Sequence, residues 1–154
     1  MTRYAEGTSV PVDRTMAEIR RTLTRFKAEE FVYGERPDTI MVGFVIKGVQ
    51  MRLQVPLPDP DDIGFTLTPT GKQRVAEAAT KAHEDEVKRR WRSLANFIKA
   101  TLDAVESGII TLEEGFLAHM VLPNGRTVGQ EAIPELQHML ASGKLPPALI
   151  SGGE

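Results

Sequence analysis

The stretch Val87–Gly108 constrains this chain more than any other. Its large apolar residues, Val87, Trp91, Leu94, Ile98, Leu102 and Val105, recur at steps of three and four. A helix turns once in 3.6 residues, so that spacing gathers them into one apolar stripe. Gly108 then supplies a stop, because glycine accepts the left-handed conformation that closes a helix. The segment sets how the chain folds and carries no catalytic pattern.

At 154 residues there is room for one domain with a core of its own. Apolar residues make up 41% and charged residues 26%, a globular balance rather than a disordered one. No apolar run approaches the roughly 20 residues of a membrane span. The opening residues, Met1 to Gly7, lack the apolar core of a secretory signal. Cysteine is absent, which removes disulfides, thiol nucleophiles and the usual structural zinc sites together. These features predict a cytoplasmic protein without a membrane partner.

The net charge of −2 gives the whole molecule no electrostatic case for nucleic acid. The charge is uneven, however. From Thr111 onward Glu113, Glu114, Glu131, Glu135 and Glu154 face only Arg126 and Lys144, whereas the middle helix carries Lys88, Arg89, Arg90, Arg92 and Lys99. An anionic ligand would seek that helix first.

The pattern along the chain predicts an α+β fold. Residues 1–9 read as a flexible tail, 10–147 as a single domain and 148–154 as a second tail. Within the domain, 10–57 form a helix plus a meander, 58–70 a proline-rich connector, 71–108 the long helix and 111–143 a helix-hairpin-helix. The first helix is expected to begin near Asp13 or Thr15, since Thr15 and Glu18 have capping-box spacing. Met16, Ile19, Leu23 and Phe26 form its buried face, opposite Arg20, Arg21, Thr24 and Lys27.

Phe31–Tyr33, Thr39–Ile46 and Val49–Leu57 then make a three-stranded antiparallel meander. Its middle strand is apolar enough to be covered on both faces. The last alternates apolar and polar residues. Four prolines between 56 and 70 make a connector or flap. The first half of the long helix, through Glu86, has only a weak stripe and is expected to project from the core or meet a partner chain. Thr111 with Glu114 repeats the capping-box spacing. His119–Leu122 and Thr127–Val128 flank the turn signal Pro123-Asn124-Gly125-Arg126. A last helix runs from about Glu131 to Ser142, with Pro134 tolerable only in its first turn.

The cluster Lys88-Arg89-Arg90-Trp91-Arg92 invites a nucleic-acid reading, an aromatic among cations. Trp91, however, sits on the apolar stripe and is expected to point inward. Glu84, Asp85 and Glu86 precede Lys88, Arg89 and Arg90 by four residues, the favourable order for intrahelical pairs. A self-paired, solvated helix accounts for most of the cluster. Arg92 escapes that account, because the residue four back is Lys88. Arg89, Arg92, Asn96 and Lys99 share one face opposite the stripe and form the candidate site for an anion or a partner, against the plainer reading of a solvated face.

Other chemistries find little support. The histidines 83, 119 and 138 lack the i, i+4 spacing of a helical metal site, and Asp59, Asp61 and Asp62 lack the glycine hinge and terminal glutamate of a calcium loop. Pro37-Asp38 with Lys47 suggests a metal-dependent nuclease, but Val45 stands where that chemistry needs an acid. There is no nucleophile elbow, P-loop or dinucleotide fingerprint. No cofactor, resident metal or catalytic residue is expected. Tyr33, Phe44, Phe97 and Phe116 belong to the core or line a ligand pocket. Phe97, off the main stripe, widens the apolar face or marks a subunit contact.

Several segments resemble a group of small, uncharacterised bacteriophage and prophage proteins. They are Val10-Pro11-Val12 leading to Glu18-Ile19, Phe31-Val32-Tyr33-Gly34, Arg90-Trp91-Arg92 through Ser107-Gly108, and Phe116 through Val128. The likeness covers most of residues 10–147 and brings no functional residue with it. It implies a phage accessory role; together with the missing catalytic constellation and the polar half-helix over 72–86, it leads to the expectation of a non-enzymatic binding protein acting on nucleic acid metabolism or a host defence component. Its partner would be a host protein or a phosphate-bearing ligand, nucleotide or nucleic acid, and the protein a homo-oligomer. Alternatives are a protein that sequesters a signalling nucleotide between subunits, and a small enzyme with an unrecognised site.

Overall fold

A computed structural model describes residues 2–144, with side chains from Val12 onward. The elements run α1 (Thr2–Arg25), β1 (Glu30–Arg36), β2 (Thr39–Ile46), β3 (Val49–Pro56), α2 (Ile63–Thr66), α3 (Ala76–Glu106), α4 (Leu112–Phe116), a 3-10 turn (Leu117–His119) and α5 (Val128–Ala141). This is the α+β order of N-terminal helix, antiparallel meander, long helix, and further short and C-terminal helices. The boundary at 147 and the tail 148–154 lie outside the described residues.

The strands pair in the order β1-β2-β3, with Phe31, Phe44 and Met51 in register across the sheet. Lys47 and Gly48 join β2 to β3 with φ of 52° and 75°. Two successive left-handed residues match the right-handed twist of the strands, so the hairpin closes in two residues. Ile40, Val42, Phe44 and Ile46 alternate onto one face of β2 and are buried, while Met41 and Val45 on the other face are only half-buried. The middle strand is therefore covered on one face, not two.

Two helices cover that face. Ile19 and Leu23 of α1 meet Val87, Trp91, Leu94, Ile98 and Leu102 of α3 above the sheet, and Leu112 and Phe116 of α4 close the end. Trp91 is 1% exposed and its Nε1–H donates to Glu35 Oε1 at 3.3 Å. Arg92 pairs with Glu18 and Arg25 with Glu106, so α1 and α3 run parallel.

The first helix starts at Thr2, not at Asp13 or Thr15, so the expected tail is helical from Thr2 to Ser9. Proline at 11 argues against such continuity, because it removes one helical hydrogen bond. Thr15 is consequently no cap. It is buried mid-helix, where its Oγ1 accepts from Arg92.

The long helix begins at Ala76 rather than 71 or 72, since Gln73 bridges back to Leu67. Its polar first half does not project. The proline-rich segment folds over it with α2 at its centre, Phe65 stands edge-on to His83 at 5.4 Å, and His83 Nε2 meets the Pro58 carbonyl at 2.9 Å. Asp62 caps α2 by accepting from Gly64 N at 2.8 Å, and Asp59 accepts from Asp61 N at 2.9 Å. Two of the three clustered aspartates thus serve the backbone.

Thr111 and Glu114 form the expected capping box. The hairpin beyond is reduced to single bridges, Met51 with Met120 and Val121 with Thr127. In its turn only Gly125, at φ 84°, is left-handed. A second capping box, Thr127 with Gln130, starts α5 three residues before Glu131. Pro134 therefore falls in the second turn and leaves the Gln130 carbonyl without its usual partner. Arg126 fills the vacancy by donating to that carbonyl at 3.1 Å. Along α5, Ile133, Leu136, Met139 and Leu140 are 46–63% exposed.

Burial separates the two apolar stripes energetically. Ile98→Ala, at 0% exposure, is expected to cost about 2–5 kcal/mol in a urea titration. Leu140→Ala should stay within about 0.5 kcal/mol of the parent.

Candidate anion-binding cleft

With Trp91 buried, the opposite side of α3 faces outward. Between Lys88 and Leu102 the helix carries five cations and no acid, and between Arg14 and Arg25 the neighbouring α1 carries four cations and one acid, Glu18. Where the two helices meet, Arg14, Lys88, Arg89 and Arg92 line a cleft of about 450 Å³, with Thr15 and a single acid, Asp85.

The structure thus brings two of the sequence-selected residues, Arg89 and Arg92, into one site. It leaves the other two outside it. Asn96 and Lys99 are exposed further along α3, and Lys99 stands seven residues, roughly 10 Å, beyond Arg92. Arg14 and Lys88 are the cleft residues that the sequence reading did not select. Arg14 lies on α1, and only the parallel packing of the two helices places it opposite Arg92.

Both selected arginines have acid partners. Arg89 grips Glu86 with two donors, Nε to Oε1 at 2.7 Å and Nη2 to Oε2 at 2.6 Å. Arg90 reaches the same Oε2 at 2.8 Å and also the Pro56 carbonyl. Of the expected i, i+4 pairs, Glu86 with Arg90 forms, whereas Asp85 turns to Lys81.

Arg92 donates to Glu18 Oε2 at 2.5 Å and to Thr15 Oγ1 at 3.2 Å. The acid missing four residues back is supplied by another helix. Among the described residues, Arg14, Lys88 and Lys99 make no ion pair. The Arg92–Glu18 pair is half-exposed, and such a pair contributes only about 0.2–1 kcal/mol. A phosphate entering the cleft can therefore take over the guanidinium at small cost.

A larger recess of about 800 Å³ lies between the proline-rich segment and the first half of α3, but there Arg36 and Arg74 are balanced by Glu35 and Asp61. It has volume without a dominant charge. Among the described residues, no group of three or more acids or histidines is placed to hold a metal ion, and no helix is long and apolar enough to cross a membrane. Phe44 and Phe116 are core residues, Tyr33 is about half-exposed on β1, and Phe97 is 41% exposed.

No protein-family model matches the chain, and neither curated proteins nor solved structures give a match.

The charges around the cleft are held in place electrostatically. Hydrogen bonds from Arg89, then Arg90, pull the Glu86 carboxyl from an ordinary value near 4.5 down to about 2. A carboxylate whose pKa is depressed on folding stabilises the fold above its unfolded value and loses that contribution as protons reach it. Thermal stability should therefore fall as pH drops from about 4.5 towards 2. Glu86→Gln should flatten that part of the pH profile.

Proposed function

We propose that this chain is a non-enzymatic accessory binding protein of a bacteriophage, working in the host cytoplasm on nucleic acid metabolism by holding a phosphate-bearing ligand. The observation that carries the reading is the cleft between α1 and α3, lined by Arg14, Lys88, Arg89 and Arg92 with one acid, Asp85, while Glu86 and Glu18 pair with two of the four cations. Four cations drawn from two helices converge on a volume suited to a phosphate group or a short stretch of nucleic acid backbone. Lys99 extends the cationic surface along α3. The phage setting rests on the sequence resemblance alone.

Self-association belongs to the same reading. The uncovered stripe Ile133, Leu136, Met139 and Leu140 on α5 supports it, because apolar helix faces of this kind are commonly buried against a partner. Leu136→Glu with Leu140→Glu should lower the mass measured by light scattering. A parent protein that is strictly monomeric at high concentration would remove this part of the reading.

The main test is calorimetric titration with inorganic tripolyphosphate at low salt. Saturable binding is expected, weakened at least tenfold by Arg14→Glu with Lys88→Glu. Among the described residues neither makes an ion pair, so the variant should keep its melting temperature. A polynucleotide ligand contacting about three of these cations should lose affinity with a log–log salt slope of about −2 to −3. Turnover of a phosphate ester at sub-stoichiometric protein would favour an enzyme. Indifference to all phosphate probes, with a host defence protein captured through the same residues, would replace this reading.

A further inference from the structure

Beside the cationic cleft lies a second recess, a slot of about 440 Å³ between α3, β3 and the 3-10 turn. Leu53, Val55 and Leu94 give it apolar walls, and the rings of Phe97 and His119 stand at 5.7 Å centroid separation on its side. Phe97 is braced from behind by Phe116, edge to face at 6.0 Å, yet it keeps 41% of its surface exposed. Among the described residues, Arg89 alone lines both the slot and the cationic cleft.

We infer that the slot takes the base of a nucleotide whose phosphate is held across Arg89 by the cationic cleft. The inference rests on the phosphate-binding reading above and names the rest of the ligand. The slot is large enough for a small ligand, since such pockets run from roughly 300 to 1,000 Å³.

An aromatic side chain that is rigidly backed and open on one side offers a stacking surface, and every base has a π-face to place on it. Burial lowers the pKa of His119, so its imidazole is neutral near pH 7 and presents one donor and one acceptor. Ser93 and Gln54 add polar groups at the wall. The Oε1 of Gln54 accepts from Gln130 Nε2 at 3.4 Å, and among the described residues its own amide hydrogens remain to donate. A base edge carries donors and acceptors to match these groups. A hydrocarbon chain in the slot would leave them unpaired, which is costly in an apolar recess. A base joined to an anion fits best, because the cation Arg89 lines the slot as well as the cleft.

A free nucleoside polyphosphate and one unit of a single strand share this chemistry, and titration separates them. The probes are ATP, adenosine, inorganic tripolyphosphate and a single-stranded oligonucleotide, each titrated calorimetrically into the full chain. ATP should bind at least tenfold more tightly than tripolyphosphate. Phe97→Ala should bring ATP to the level of tripolyphosphate and leave tripolyphosphate unchanged. Ser93→Phe, which fills the slot from its rim, should do the same and guards against a folding defect in the first variant.

An oligonucleotide that binds more tightly than ATP, with affinity falling steeply in salt, identifies a strand as the source. ATP tighter than the oligonucleotide identifies the free nucleotide. If ATP binds no better than tripolyphosphate, or both variants leave ATP binding intact, the slot is not a base site, while the cleft still binds phosphate. If tripolyphosphate also fails to bind, both readings fall together.

Discussion

Burial of the Trp91 indole fixes the rotation of α3 about its own axis, and the rest of the molecule follows from that rotation. The ring lies over the sheet with its N–H on Glu35, a contact that ties α3 to the edge strand β1. Once that face points inward, Lys88, Arg89 and Arg92 are on or near the outer side. The residues that stabilise the core and those that attract an anion are therefore two faces of one helix. A change in the apolar stripe that turned α3 by a third of a revolution would bury guanidinium groups, which the fold has no means of solvating.

Parallel packing of α1 against α3 gives the surface its electrostatic character. Each helix contributes cations, and the acids that answer them come mostly from the other helix or from the neighbouring turn. Glu18 meets Arg92, Glu86 meets Arg89 and Arg90, and Asp103 and Glu106 meet Arg25 at the far end. Arg14 and Lys88 are left without such partners among the described residues. The cleft is thus a local excess of positive charge on a molecule whose net charge is negative. The field of such an excess is short-ranged and screened by salt.

Much of the fold was legible in local patterns. The helical stripe from Val87 to Val105, the alternation along β3, the tight Lys47-Gly48 connection and the Thr111/Glu114 box each encode their structure within a few residues, and each formed where expected. The misreadings share one cause. Thr15 and Pro134 both mark a helix start locally, yet α1 runs through the first and α5 begins well before the second. Arg126, eight residues before the second, supplies the hydrogen bond donor it lacks. The weak stripe before Glu86 suggested a helix reaching into solvent, and the proline-rich segment covers it instead. A local signal was overridden wherever a residue outside its window filled the gap.

By itself the sequence determined the periodicities, the Thr111/Glu114 cap, the inward face of α3 and the outward direction of Arg89 and Arg92. Those properties depend on steps of two to four residues, which the order of amino acids states directly. Only the tertiary structure decided that Arg92 shares its charge with Glu18, 74 residues away, and its second donor with Thr15, 77 residues away. It alone set Arg14 across from Lys88 and placed Arg89 on the ridge between the cationic cleft and the Phe97 slot. Contacts across such separations arise from the way two helices slide and lean against one sheet. No spacing within a single helix records that arrangement.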